Sequence, residues 1–246
     1  MKTKLLFKLL AVLFLPLCLL AVDDLLFGIP FEADLNLQKQ GFSLGYSFKY
    51  RQAVWVSYTL TAKNLQARQV RRRDKFKPDP QVKFRPVRPG EYSRSGYDKG
   101  HLAPAADMTY SMPSMKNSFF MTNISPQLPG CNRGIWKRLE TQVRRWALKE
   151  EKIHIITGPV FAENPATMGK SKIPVPEAFY KVILDLTPPM KMIGFIVPNQ
   201  TSRNRIFSFT VSVDEVERVT GYDFFSELDD ELENRLEKFS DISLWK

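Results

Sequence analysis

The stretch from Ser95 to Met108 reads SGYDKGHLAPAADM, and it holds one of only two histidines in a chain of 246 residues. Asp98, Lys99, Gly100 and His101 place an acid, a fixed cation, a sterically free residue and a titratable base at successive positions. Phosphodiester hydrolysis asks for that combination: a base to take a proton from the attacking water, and positive charge against the phosphorane-like transition state. A histidine taken alone is more often structural, so the reading rests on its neighbours.

Other chemistries fit less well. With His101 and His154 as the only histidines, zinc sites built on several imidazoles are excluded, and no paired-cysteine spacing offers a structural zinc. A metal here needs oxygen ligands. No G-x-S-x-G elbow occurs, which argues against a serine nucleophile. Cys131 stands beside a predicted helix start, where a thiolate would be stabilised, yet a lone cysteine is more often inert. His154, between Ile153 and Ile155, reads as a packed or surface strand histidine rather than a second base. The methionines at 108, 112, 115 and 121 read as core and loop filling, a thioether being too soft for a hard cation.

The elements that must position these residues can be read from periodicity. Ala53 to Thr61 (AVWVSYTLT), Lys152 to Thr157, Phe179 to Leu186 and Met192 to Val197 are rich in β-branched and aromatic residues and predict strands. Gly134 to Glu150 predicts an amphipathic helix, because Ile135, Leu139, Val143 and Trp146 recur at helical spacing. A second helix is predicted from Ser226, with Leu228, Leu232, Leu236 and Phe239 on one stripe and an acidic outer face. Lys77 to Gly90, with four prolines, predicts an irregular basic loop leading into the quoted stretch. Strands and helices without regular βαβ alternation point to an α+β fold, and without a repeat or low-complexity linker residues 22–246 read as one domain.

The formal net charge is +10, and the positive charge is concentrated: Arg68 to Arg88 holds nine basic residues against Asp74 and Asp79. That favours a polyanionic partner. At the N-terminus, Lys2, Lys4 and Lys8 precede a nearly continuous apolar run from Leu9 to Leu20 and then Ala21, the pattern of an export signal over residues 1–21, too short for a comfortable membrane span. Its removal would take three lysines and no acid, leaving a charge of +7. Cys131 would then be the only cysteine, so an intramolecular disulfide is excluded, and a periplasmic or secreted location is expected.

At this point the sequence resembles a known family, the DNA/RNA non-specific endonucleases with a ββα-metal site. Asp98-Lys99-Gly100-His101 resembles the D-R-G-H signature, continued by Leu102-Ala103-Pro104-Ala105. Thr122-Asn123-Ile124-Ser125-Pro126-Gln127 is similar to the T-N-x-x-P-Q segment, and Asn132, Trp136, Leu139 and Glu140 to the N-x-x-x-W-x-x-L-E helix start. The likeness runs from the segment with Arg72, Phe76, Asp79 and Pro80, through Thr157-Gly158-Pro159, to Val213-Asp214-Glu215 and Thr220-Gly221-Tyr222.

The resemblance implies an α+β fold with a central, mainly antiparallel sheet flanked by helices. It implies hydrolysis of DNA and RNA gripped through the phosphate backbone, giving 5′-phosphate and 3′-hydroxyl ends. His101 is then the general base and Arg72 the residue on the scissile phosphate. Asn132 is the direct ligand to Mg2+, with Mn2+ as a substitute, and Glu140 acts on the metal through water. On an ideal helix Asn132 and Glu140 are about 80° apart in azimuth and about 12 Å apart along the axis, which suits that indirect role. Asp98 is expected to orient its loop through backbone hydrogen bonds, and Asn123 to brace the site. The departure is Lys99, where the signature carries arginine: the charge is kept but the bidentate fork is lost. This allows a rival expectation, a binder on the same scaffold with impaired turnover. An inhibitor protein and the oligomeric state are left open by the sequence.

Overall fold

In the computed structural model, which describes residues 23–67 and 69–246, the strand-rich segments pair into one large sheet. β1 (Leu35–Lys39), β2 (Phe42–Ser47) and β3 (Gln52–Thr61) run as a meander into a short helix, α1 (Ala62–Ala67). An irregular stretch leads to β4 (Asp98–His101), α2 (Met112–Ser118), β5 (Ile124–Gln127) and α3 (Lys137–Lys149). β6 (Lys152–Val160), β7 (Thr167–Met168), β8 (Ile173–Pro174), β9 (Ala178–Asp185), β10 (Lys191–Pro198) and β11 (Thr210–Val211) follow, and then α4 (Val213–Thr220) and α5 (Asp230–Glu237). Seven strands form the sheet in the order β1-β2-β3-β6-β9-β10-β11, with every pairing antiparallel. β4 and β5 pair separately and, with α3, make a ββα unit. The α+β expectation holds. The proposed export signal and Arg68 lie outside the described residues.

The two-residue period of the strands sorts side chains between two cores. On β9, Phe179 and Ile183 join Leu139, Val143 and Trp146 of α3, whereas Tyr180, Val182 and Leu184 join Val216 of α4, Phe224 and Leu236 of α5. Helices therefore cover both faces, and each buried apolar side chain contributes about 1.5–3 kcal/mol. The same alternation carries Lys181, between Phe179 and Ile183 in phase, toward the α3 side.

Three expectations need correction. His101 ends a strand, not a loop: Gly100 and His101 pair with Ser125 and Ile124. Gly100 permits this, since any Cβ there would collide with the Gln127 side chain. Second, α3 starts at Lys137 and not at Gly134; Cys131–Trp136 form a wider, π-like turn broken at Gly134, whose φ of −103° and ψ of −108° are non-helical. Ideal-helix spacing therefore does not relate Asn132 to Glu140. Third, α5 starts after Asp229, whose carboxylate caps the Leu232 amide, so Ser226 is no cap, and Phe239 lies beyond the helix, 71% exposed. β1 and β2 escaped the sequence reading because FSLGYS and LNLQK mix polar and apolar residues too evenly.

Of the two strand placements expected for His154 the structure takes the packed one, buried between β3 and β9, with Ser57 Oγ 2.9 Å from Nε2 and Thr59 Oγ1 3.0 Å from Nδ1. Burial first, and the Lys152 charge second, lower its pKa from 6.5 to about 3. The unfolded chain takes up a proton below about pH 6.5 that the folded chain refuses until about pH 3, so stability falls as pH drops through that window. Urea unfolding followed from pH 7 to pH 4 shows this decline, and His154→Gln reduces the slope by about one proton. An identical slope in the variant means that His154 titrates normally in the fold.

Candidate active site

The basic segment before β4 is fixed by a buried carboxylate. Asp79 accepts from Thr122 Oγ1 at 2.7 Å and pairs with Lys39 at 2.7 Å, both sides of the contact being shielded from water. Lys77 bridges the backbone at Phe119 and Met121 (3.1 and 2.9 Å). These ties lay residues 72–77 along the end of α2, which brings the Arg72 guanidinium over the Phe119 ring and Phe76 against His101. After His101 the chain is held by Asn123, whose Oδ1 accepts from the Ala103 amide and whose Nδ2 donates to the carbonyls of Ala103 and Ser118, each at 2.9 Å. Asn123 braces the site as expected.

These supports open a cleft of about 410 Å³ that brings Arg72, Lys99, His101, Asn132 and Glu140 together. Arg133, Lys137 and Arg144 also line it, so cations dominate its walls. His101 is 9% exposed, its ring edge-on to Phe119, and its Nε2 is buried with no protein hydrogen-bond partner. Burial, and then the charge of Arg72, lower its pKa to about 3, so the imidazole is an unprotonated base at neutral pH.

Asp98 departs from its expected role. Its carboxylate takes side-chain donors, Asn132 Nδ2 at 2.9 Å and the Arg133 guanidinium at 2.6 and 2.7 Å. The Arg133 hydrogen bond, more than that of Asn132, keeps the Asp98 carboxyl below its usual range against the cost of desolvation. With Nδ2 committed to Asp98, the Asn132 amide has its Oδ1 free to act as a ligand. Lys99 points its ammonium at the faces of Phe76 and Tyr92, 5.2 and 5.9 Å from their centroids.

Beneath Glu140 lies a buried charge network that sequence reasoning missed. Arg144 pairs with Asp107 at 2.9 Å, Tyr58 donates to Asp107 at 3.1 Å, and Lys181 is fully buried with its Nζ 4.9 Å from the Trp136 ring centre. Burial and the Asp107 charge raise the Glu140 pKa, while Lys181, Arg144 and Arg72 oppose the rise. Burial lowers the Lys181 pKa, and Glu140 and Asp107 resist that. A signal existed: a lysine stands in the middle of AFYKVILD, an apolar strand whose other charge, Asp185, lies at its end. The candidate nucleophile Cys131 is buried and its thiol pushed up to about 11, which leaves it inert.

The residues fit a hard divalent cation, since beside the His101 imidazole the cleft offers an amide oxygen and a carboxylate and no thiolate or thioether enters it. Comparison with known proteins agrees: residues 26–231 match the family described as DNA/RNA non-specific endonuclease. The chain belongs to that family. It is an enzyme, a nuclease of a metal-dependent class. Nuclease C1 of Cunninghamella echinulata var. echinulata is 35% identical over 221 residues, covering 82% of this chain and 87% of the relative. A nuclease of Nostoc sp. is 32% identical over 212 residues, covering 81% and 76%. The human mitochondrial nuclease EXOG is 30% identical over 222 residues, covering 82% of this chain and 60% of the relative. The fold also matches the solved EndoG/EndoGI complex, described as showing a mechanism of EndoG inhibition, with a TM-score of 0.78, 28% identity and coverage of 84% of this chain and 91% of that one. As a nuclease the protein takes nucleic acid as substrate, and among the described residues no helix is long and apolar enough to cross a membrane.

Proposed function

We propose that this nuclease is an exported, Mg2+-dependent hydrolase of DNA and RNA, acting through one domain over residues 22–246 once residues 1–21 are removed, and leaving 5′-phosphate and 3′-hydroxyl ends. The observation that carries the reading is the convergence of an unprotonated His101, the Asn132 amide, Glu140 and Arg72 on one cation-lined cleft. Asn132 Oδ1 would hold the metal directly and Glu140 through water, with Mn2+ able to substitute. A cation held there would supply positive charge against the negative charge that develops during hydrolysis. His101 accepts the proton of the attacking water. Burial, and second the Arg72 charge, keep the His101 pKa low, and a phosphate anion beside Arg72 would offset the second of these. Arg72 holds the phosphate, and Asp98 keeps the Asn132 amide turned with its oxygen outward. The periplasmic or secreted location rests on the leader pattern alone.

Contacts built from Arg72, Lys99, Arg133 and Lys137 grip phosphates and carry no base information, which suits a sugar-non-specific substrate range. The test is cleavage of supercoiled plasmid and of single-stranded RNA by residues 22–246, with magnesium and with excess chelator. Cleavage of both that requires magnesium is expected; binding without cleavage under every divalent cation tried replaces the proposal with an impaired binder. For Lys99, substrate affinity plotted against salt on logarithmic axes should lose about one unit of slope in Lys99→Met if its ammonium neutralises one phosphate. An unchanged slope removes Lys99 from substrate contact and confines it to packing on Phe76 and Tyr92.

A further inference from the structure

Away from the cleft, on the sheet face opposite α3, α4 and α5 bring three carboxylates together: ligand oxygens of Asp214, Glu217 and Glu237 all lie within 4.8 Å of one another. We propose that Asp214, Glu217 and Glu237 form a second, non-catalytic site for a hard divalent cation of calcium's size, which clamps the C-terminal helix α5 onto α4.

Glu237 supplies the independent observation. It is 6% exposed, it faces the other two carboxylates, and its Oε1 is buried with no hydrogen-bond partner. Glu233, one turn earlier on α5, has an Oε1 in the same condition. An unpartnered buried carboxylate oxygen is costly to keep unless something neutralises and coordinates it. No basic side chain does so among the described residues: the charges acting on Glu237 come from Glu217, Glu233, Asp214 and Asp223, all negative. The nearby Arg218 is committed to Glu215 at 2.6 Å, and Lys238 turns to the Phe239 ring. Among the described residues no lysine or arginine forms an ion pair with this partly buried acidic cluster, although the chain is basic overall.

The cluster is also held in shape. Glu217 Oε1 accepts from the Phe224 amide at 2.8 Å, which fixes that carboxylate from one side and leaves its second oxygen for a ligand. Val216 on α4 and Leu236 on α5 share the apolar core beneath. Asp214 is exposed and gives a cation its way in. Two oxygens bound to one calcium at about 2.3–2.6 Å are at most about 5 Å apart, so carboxylates already within 4.8 Å of one another are close enough to share a cation of that size with little movement. Glu233 and Glu237 lie beyond residues 26–231, so the α5 half of the site is outside the region matched to the family. The competitor is a proton. Burial, then the charges of Glu217 and the other acids, push the Glu237 carboxyl up to about 9, so without a cation it stays protonated.

The test uses the full mature chain carrying Asn132→Ala, so that the cleft does not answer for the metal, stripped with chelator and held at pH 7.5. Calorimetric titration with calcium chloride should show one site, and calcium at about 100 times its Kd should raise Tm by about 5–10 °C. Adding Glu237→Gln should abolish both signals. Asp214→Asn, at an exposed position that tolerates exchange, should weaken calcium at least tenfold and keeps the test decisive if the Glu237 variant fails to fold. No calcium response, or a response that Asp214→Asn leaves unchanged, overturns the proposal and leaves a shared proton as what neutralises the cluster.

Discussion

Replacing His101 with alanine lowers the turnover of plasmid and of RNA by about 10²–10⁴-fold while leaving KM within a few fold, the range expected for loss of a general base. The reason is positional. His101 lines the cleft beside Arg72, and its depressed pKa leaves the ring unprotonated at neutral pH. The substitution removes no charge at that pH, so substrate attraction by the surrounding cations survives. His101→Gln, which keeps a polar side chain between Phe76 and Phe119 but cannot serve as a base, should lose as much. Single-turnover cleavage at saturating magnesium measures the effect, with near-UV circular dichroism to confirm the fold. A rate within threefold of the parent enzyme removes His101 from the chemistry. The free-enzyme pH profile should also lack an acid limb near 6.5, because the base stays unprotonated down to about pH 3.

Asn132→Ala should be the second severe variant, raising the magnesium concentration for half-maximal rate by more than about 100-fold. A residue that orients a ligand is worth about 10–100-fold, and a direct ligand exceeds that. Asp98→Asn provides the graded comparison. It weakens the hold on the Asn132 amide and removes the partner of Arg133, so it falls in the lower range, about 10–100-fold. Magnesium titrations of initial rate on all three proteins decide the order. If Asp98→Asn is as damaging as Asn132→Ala, the carboxylate itself is a ligand; if Asn132→Ala binds magnesium normally, the metal is held elsewhere.

The sequence by itself determined the family, the α+β class and the five candidate residues that the cleft brings together, because each rests on local signals. The strands of β3, β6, β9 and β10 carry dense β-branched and aromatic runs, and Asp98-Lys99-Gly100-His101 and Asn132 with Glu140 are short-range patterns. Short-range patterns survive in one dimension. Tertiary structure decided what depends on partners far apart in the chain. Asp98 meets Asn132 across 34 positions, Asp107 meets Arg144 across 37, and Lys181 reaches the Trp136 ring only because β9 alternates in register against α3. Gly134 breaks the helix that periodicity extends through it, since periodicity records which side chains are apolar and not which backbone angles a glycine takes. The depressed base at His101 and the crowded carboxylates of α4 and α5 have the same origin: a pKa or a ligand set is made by burial and by neighbours, and both exist only once the sheet has brought its two covering layers into place.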